Sequence, residues 1–447
     1  MMASSLLGLF FILIYYCVKD LNAHITLLVF LIAFFTFLMG RMVLPLFYDI
    51  SNLLFDIGGA DFSKKTQVHM YVCLFLSLFS VFLGYKYVSL GNKKPNVRFS
   101  DKQTIAKIKS YSKRIIYFSY LFALVQILEK VYVVIKNGYT ALYLDYESQL
   151  PYIFILIAGW FFHAFYIFLA TLPTKKEAKI PIILYLSIAT ISIGSGQRGS
   201  FVLGFLFVIM YLFIRNTLRP GNSPWIGKKG IIGLLITLPA LLVFLFLMVY
   251  IRSDNDSTFS TNFLISFFYQ QGVSVEVIGY TYDYEKYFPT GKIYLLGEIV
   301  DYIKHNMFTR ILFDTKVVEP QTVQHALEDN SLDAAITYIV KPYYYLNGGG
   351  LGGCFIAEAW KDFGYMGVCV VSCFYGLLIA KIPIWCRKNV WVSSVGLAMF
   401  NQIIFAPRAH AIKPFSIFLS VNVLLIYVFI YIVSKQKSSD YLELAET

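Results

Sequence analysis

IIGLLITLPALLVFLFLMVYI, residues 231–251, runs for 21 residues without a charged side chain. That is the length an α-helix needs to cross the ~30 Å hydrocarbon core of a bilayer. Leu27 to Leu38 and Phe415 to Val433 are nearly charge-free as well, and with their flanks they approach the same length. The whole chain follows suit: 447 residues, 58% hydrophobic and 14% charged, with 41 Phe and 34 Tyr. This is more apolar surface than one water-soluble core can hide, so the solvent is lipid. Inside hydrocarbon every peptide group must be paired, and no period-2 barrel pattern is present, which leaves helices. The expected fold class is an all-α polytopic integral membrane protein.

The expected spans are residues 2–18, 25–48, 67–90, 115–136, 151–173, 180–195, 200–216, 230–251, 353–380, 391–407 and 415–434, eleven in all within a range of ten to twelve. Ser4 to Val18 lacks a preceding basic region, so it reads as a retained first helix rather than a cleavable signal. The loop 91–114 holds eight Lys or Arg against Asp101 alone and is therefore cytoplasmic. Alternation places 174–180, 215–229, 381–390 and the tail from Lys435 on the same side, and all are basic. Cytoplasmic segments then carry 21 Lys or Arg and the short external loops 5, with the N-terminus outside and the C-terminus inside. The net charge of +12 is membrane-surface charge favoured by anionic lipids, not a signature of nucleic-acid binding. The six cysteines lie in or beside the spans without paired spacing and read as small apolar residues.

Three parts are expected: a bundle over 1–251, a large external loop over 252–352, and three helices with a cytoplasmic tail over 353–447. The loop has seven Lys or Arg, twelve Asp or Glu and eleven Tyr, the composition of a small soluble domain. Within it, residues 261–281 are amphipathic enough to lie on the membrane surface or dip into it.

Four polar constellations fall at the external helix ends. GSGQRGS (194–200) joins spans six and seven, so helix-start amides and Arg198 face outward, with Gly196 and Gly199 permitting close approach to an anion. A Gly/Ser turn with a snorkelling arginine is the simpler reading. MVYIRSDND (248–256) puts Arg252 where span eight leaves the membrane, as a phosphate-binding fork or as an anchor paired with Asp254 or Asp256. APRAH with Lys413 (406–413) sets Arg408, His410 and Lys413 against the charge trend of the external side, to meet an anionic ligand or the acidic loop. GGGLGGCFIAEAWKDFGYMG (348–367) leads through glycines, Gly350 among them, into a span bearing Glu358 and Asp362. Carboxylates in a span are costly and mark function by default; a Lys361–Asp362 pair and glycines that serve only packing are the alternatives. Such a convergence suits a substrate with a lipid tail and a diphosphate, and the loop tyrosines offer faces for sugar rings.

GLGGCFIAEAWKDFGYMG (350–367), SGQRGS (195–200), NGYTALYLDY (137–146) and FFYQQGVS (267–274) are similar, in this order, to motifs of the O-antigen polymerases (Wzy) of Gram-negative bacteria. The resemblance implies a GT-C-like membrane glycosyltransferase that joins oligosaccharide repeat units carried on undecaprenyl diphosphate. Its setting would be the periplasmic face of the inner membrane, in lipopolysaccharide biosynthesis. It further implies no cofactor and no metal, with membrane lipid as solvent and a chain-length regulator as a candidate partner. By that analogy Arg198, Arg252 and Arg408, with His410, bind the leaving diphosphate, and Glu358 activates the acceptor hydroxyl. Asp362, Gly199 and Gly350 support them, and His410, Asp362 and a loop residue such as His325 are further candidates for the base. An O-antigen ligase and a lipid-linked oligosaccharide flippase are the competing functions.

Overall fold

A computed structural model of the chain describes residues 2–47, 61–90, 102–138, 141–144, 146–196, 198–218, 224–227, 230, 233, 263–306, 309, 312–313 and 318–435. Among them there are helices and turns but no strand. Helix α1 (Met2–Lys19) is followed by α2 (Leu21–Phe34), which continues to Leu46, then α3 (Lys64–Leu90), α4 (Lys102–Asn137), α5 (Tyr152–Ala170), α6 (Lys175–Ile191) and α7 (Arg198–Leu218). The large loop contributes α8 (Phe263–Gln271), α9 (Ser274–Asp283), α10 (Gly297–His305) and α11 (Leu332–Val340). The chain closes with α12 (Phe355–Trp385), α13 (Val390–Phe405) and α14 (Val421–Lys435). Among the described residues nine helices are long and apolar enough to span a bilayer, and Lys413–Leu419 with Val421–Lys435 forms a tenth candidate bent by 70°. The protein is thus an all-helical polytopic membrane protein. These ten correspond to ten of the expected spans; the expected span 230–251 lies largely outside the described residues.

Two helices depart from their expected bounds for visible reasons. Helix α4 begins at Lys102, inside the basic stretch expected as a loop, because Ile105, Ile108, Ser112 and Ile116 repeat at helical spacing and pack inward. Lys109 then reaches Glu177, 2.7 Å away, in the capping box that starts α6. Helix α12 is broken at Gly364, whose backbone (φ +62°, ψ −155°) only glycine adopts readily. Below the break α12 crosses α3 at backbone contact: a Cβ on Gly84 would sit 2.0 Å from the Cys373 carbonyl oxygen, and one on Gly376 2.0 Å from that of Val81. Ser77 and Ser372 share a 2.8 Å hydrogen bond in the same seam. Small residues let helices meet where lipid provides no hydrophobic drive. Gly376→Leu is therefore expected to cost about 3 kcal/mol through overpacking, read as a lowered thermal midpoint in detergent; an unchanged midpoint would show that the crossing is not tight.

Among the described residues, contacts at several places tie the large loop to the bundle. Of the segment 261–281 expected on or in the membrane surface, the described part continues through α8 and α9 and docks on α2 and α3, with α9 buried from Ser274 to Thr281. Arg41, a charge inside span two, is the anchor: its guanidinium meets Glu276 at 2.6 Å, donates to the Tyr269 carbonyl at 3.2 Å and lies 3.9 Å over the Tyr269 ring. Gly272 makes the approach possible, since a Cβ there would come within 2.6 Å of the Arg41 Cβ. Asp362 accepts the backbone N–H groups of Tyr294 and Leu295 at 3.2 and 2.8 Å. Glu298 in α10 accepts Lys413 Nζ at 2.7 Å and the Ser416 hydroxyl.

Candidate functional site

Beneath the loop lies a cavity of about 1240 Å3, walled by the ends of α2, α4, α6, α7 and α13 together with the glycine run 348–352. By alternation, all five ends lie on the side of the large loop. The cavity brings together stretches that are far apart in the chain: Gly196, Gly199 and Ser200; Gln270 and Gln271; Gly348, Gly349 and Gly350; Asp333; and Arg408.

Local structure explains each contribution. Helix α6 tightens into a 3-10 turn over Ser192–Ser195 and ends on Gly196, whose φ of +80° reverses the chain. Helix α7 starts at Arg198, so its first unpaired amides and positive dipole end lie at Gly199 and Ser200 on the cavity wall. Gly349 lies under the Tyr344 ring, where a Cβ would come within 2.5 Å of the ring carbons. Gly353 packs against the segment that carries His410: a Cβ there would come within 3.4 Å of the His410 backbone nitrogen. The glycine run and the APRAH loop therefore form one layer.

Behind that layer stands a line of three ionisable groups. Glu358 is fully buried; its Oε1 meets His410 Nδ1 at 2.6 Å, and its Oε2 accepts the Ala411 N–H at 2.8 Å. The Ala411 carbonyl accepts the Tyr375 hydroxyl at 2.6 Å. With Nδ1 thus oriented, His410 turns Nε2 toward Asp333 Oδ1, 3.6 Å away. Asp333 also accepts the Ser331 hydroxyl and, at 2.9 Å, the Ala334 N–H. Its side chain is 33% exposed and lines the cavity. Burial would favour the neutral forms of both loop residues, but their mutual attraction and hydrogen bonds prevail. His410, beside Asp333, Glu358 and Glu298, is raised from 6.5 to about 10, and Asp333 is held below the usual 3.8. At neutral pH the pair is an imidazolium and a carboxylate.

This pairing makes stability depend on pH in a signed way. The His410 contribution is complete below pH 6.5 and is lost as pH rises toward about 10; that of Asp333 is present above pH 3.8 and is lost as pH falls through its lowered value. The thermal midpoint in detergent is expected to fall between pH 6.5 and 10, and His410→Gln is expected to flatten that fall. Parallel slopes for the two proteins would contradict the pairing.

The sequence-derived candidates separate into groups. Arg408, Gly199 and Gly350 line the cavity. Arg198 opens α7 by its backbone, while its side chain, like the whole of Arg252, lies outside the described residues. Glu358 does not present itself to an acceptor: both oxygens are engaged and the residue has no exposed surface. It orients His410, which in turn holds Asp333. Asp362 pins the loop backbone, and Lys361 lies 5.2 Å from the Phe288 ring centroid. His325 meets the Tyr345 hydroxyl at 2.7 Å and is absent from the described lining. Two further charged residues complete the wall, Asp333 and Lys130. Neither is among the sequence-derived candidates: Lys130 is a charge within the expected span 115–136, and Asp333, an acid in the first turn of a short helix, sits where acids are commonplace and carried no signal.

Compared with known proteins, the chain matches a family model described as O-antigen polysaccharide polymerase Wzy over residues 2–438. No curated protein and no solved structure matches it.

Proposed function

Because the chain belongs to the O-antigen polysaccharide polymerase Wzy family, we propose that the cavity beneath its large loop is where two polyprenyl-diphosphate-linked repeat units are joined. The family makes the protein an O-antigen polymerase acting on lipid-linked repeat units in a membrane. The observation that supports the finer reading is that one cavity holds an ionised carboxylate, Asp333, together with two cationic side chains, Lys130 and Arg408, and a helix N-terminus at Gly199.

A sugar hydroxyl of the acceptor attacks the anomeric carbon of the donor. The bond from that carbon to the diphosphate oxygen breaks, its electron pair leaves with the lipid diphosphate, and the hydroxyl proton passes to Asp333. Arg408, Lys130 and the first amides of α7 stabilise the charge that grows on the leaving group. His410, already an imidazolium, cannot take the proton and serves to keep Asp333 ionised. The lipid carrier in this reading is undecaprenol, and the reacting face is periplasmic, on the strength of the charge asymmetry between the loops. A ligase would use the same donor with a different acceptor. A flippase has no use for a carboxylate held ready for a proton.

Lipopolysaccharide from a deletion strain tests the reading. Single-repeat chains on the lipid A core support polymerisation, whereas polymer left on the carrier with none on the core would make the protein a ligase. Within the proposed site Glu358→Gln is expected to lower elongation by about tenfold, as a positioning change, and to bring the loss of activity with rising pH to a lower pH. An unchanged pH profile would remove Glu358 from the relay.

A further inference from the structure

Helix α10 is amphipathic the opposite way round from a helix packed on a core. Its polar side faces the protein: Glu298 meets Lys413 and Ser416, and Asp301 accepts the Asn330 backbone N–H at 2.8 Å and its side-chain amide at 2.7 Å. One turn further, His305 Nε2 lies 3.5 Å from Asp329 Oδ1. Leu296, Ile299, Val300 and Ile303 recur at helical spacing on the other side. None of the four belongs to the hydrophobic core of the described residues, and Leu296 and Ile303 are 42% and 58% exposed.

The helix's anchors place this stripe at the membrane boundary. Helix α12 needs about twenty residues to cross the ~30 Å hydrocarbon core, so, ending at Trp385, it leaves the core near Tyr365. Asp362, which holds the Tyr294 and Leu295 amides just before α10, stands within one turn of that level. Phe363 and Met366 beside it are exposed, as residues facing lipid are. Glu298 pairs with Lys413, the first residue of the bent span Lys413–Lys435. Along the rest of α10, Asp301 and His305 hold Asn330 and Asp329, which lead into Asp333 opposite His410, in the loop between the last two spans.

We infer that α10 lies in the headgroup layer on the loop's side of the membrane, with Leu296, Ile299, Val300 and Ile303 seated in the acyl boundary, and that this seat steadies the turn that presents Asp333. A lipid surface fits the stripe because Tyr302 and Lys304, exposed on its two flanks, carry the ring and the long stem that settle at headgroup depth. The stripe also continues the lipid-facing side of α12. The bilayer then backs the proposed base from outside: lipid holds α10, Asp301 holds Asn330, and Asn330 precedes the Ser331–Asp333 hydrogen bond that opens α11. The lipid seat is independent of the proposed reaction; only its bearing on Asp333 rests on that reading.

The test uses the full-length protein in phospholipid nanodiscs. An environment-sensitive dye is attached at Ile303→Cys, at Leu296→Cys and, as a control in water, at the exposed Glu319→Cys, with the labelled wild type subtracted as background. Dye at Ile303 and Leu296 is expected to emit to the blue, and to lose most of its emission when the lipids carry a nitroxide at the top of the acyl chain. Dye at Glu319 should do neither. Hydrogen exchange tests the support of the turn. Ile303→Glu should speed exchange of peptides covering 329–334 by about tenfold, the scale of one partly buried isoleucine, while peptides of α3 keep their wild-type rates. Ile303→Met keeps the apolar contact and should exchange as the wild type does. Water-like emission at both stripe positions, or blue-shifted emission that the lipid nitroxide spares, as beneath a second copy of the chain, overturns the lipid seat. Wild-type exchange at 329–334 in Ile303→Glu overturns its bearing on Asp333, whatever becomes of the proposed chemistry.

Discussion

Asp333→Asn is expected to leave lipopolysaccharide with single repeat units although the protein still reaches the membrane. Elongation falls by about 10^2- to 10^4-fold, the range associated with loss of a general base. Asparagine has nearly the same shape and retains an oxygen for the Ser331 and Ala334 donors, so the start of α11 survives. What disappears is the charge that faces His410 and the lone pairs able to take a proton from an acceptor hydroxyl. The effect exceeds that expected of Glu358→Gln, because Glu358 acts only through His410. Binding of a lipid diphosphate should be unchanged or tighter, since Asp333 repels rather than attracts phosphate. Wild-type chain lengths from Asp333→Asn would exclude it as the base.

Arg408→Ala is expected to abolish long chains by a different route. Its guanidinium lines the cavity where the chain leaves α13, with Cζ 6.0 Å from the Phe37 ring centroid. Removing a preorganised donor aimed at developing charge costs about 10^2- to 10^3-fold in rate, and here it should weaken binding of the bare lipid diphosphate too. Arg408→Lys distinguishes a fork from a point charge: if the guanidinium holds two phosphate oxygens at once, lysine rescues little. Arg198→Ala is expected to match Arg408→Ala, as its residue begins the helix whose amides face the same cavity. Normal chains in both alanine variants would remove the arginines from the site, and normal chains with Arg408→Lys alone would reduce Arg408 to a bulk charge.

Much of the site could be read along the chain, and the reason differs from part to part. Gly196, Gly199 and Gly350 were readable because glycines clustered at a helix end have few purposes. Arg408 stood out because it opposes the charge bias of its side. Lys130 was equally visible as an intramembrane charge, but which side of its helix it faces depends on packing against α5 and α6. Glu358 drew attention because carboxylates in spans are rare. That rarity marks importance without distinguishing a group that touches substrate from one that orients a neighbour.

What the sequence by itself determined is the solvent and the helical class, and it supplied the expectation of sidedness. These depend on run length, composition and charge near helix ends, all of which are local quantities. The order of motifs also carried the family. Only the tertiary structure decided that residues 263–283 dock on Arg41 rather than fold apart, and that the carboxylate at the cavity is Asp333 while Glu358 stands behind it. A carboxylate acquires its role from what surrounds it, namely burial, a facing imidazolium and an open wall, and those neighbours come from segments far apart in the chain.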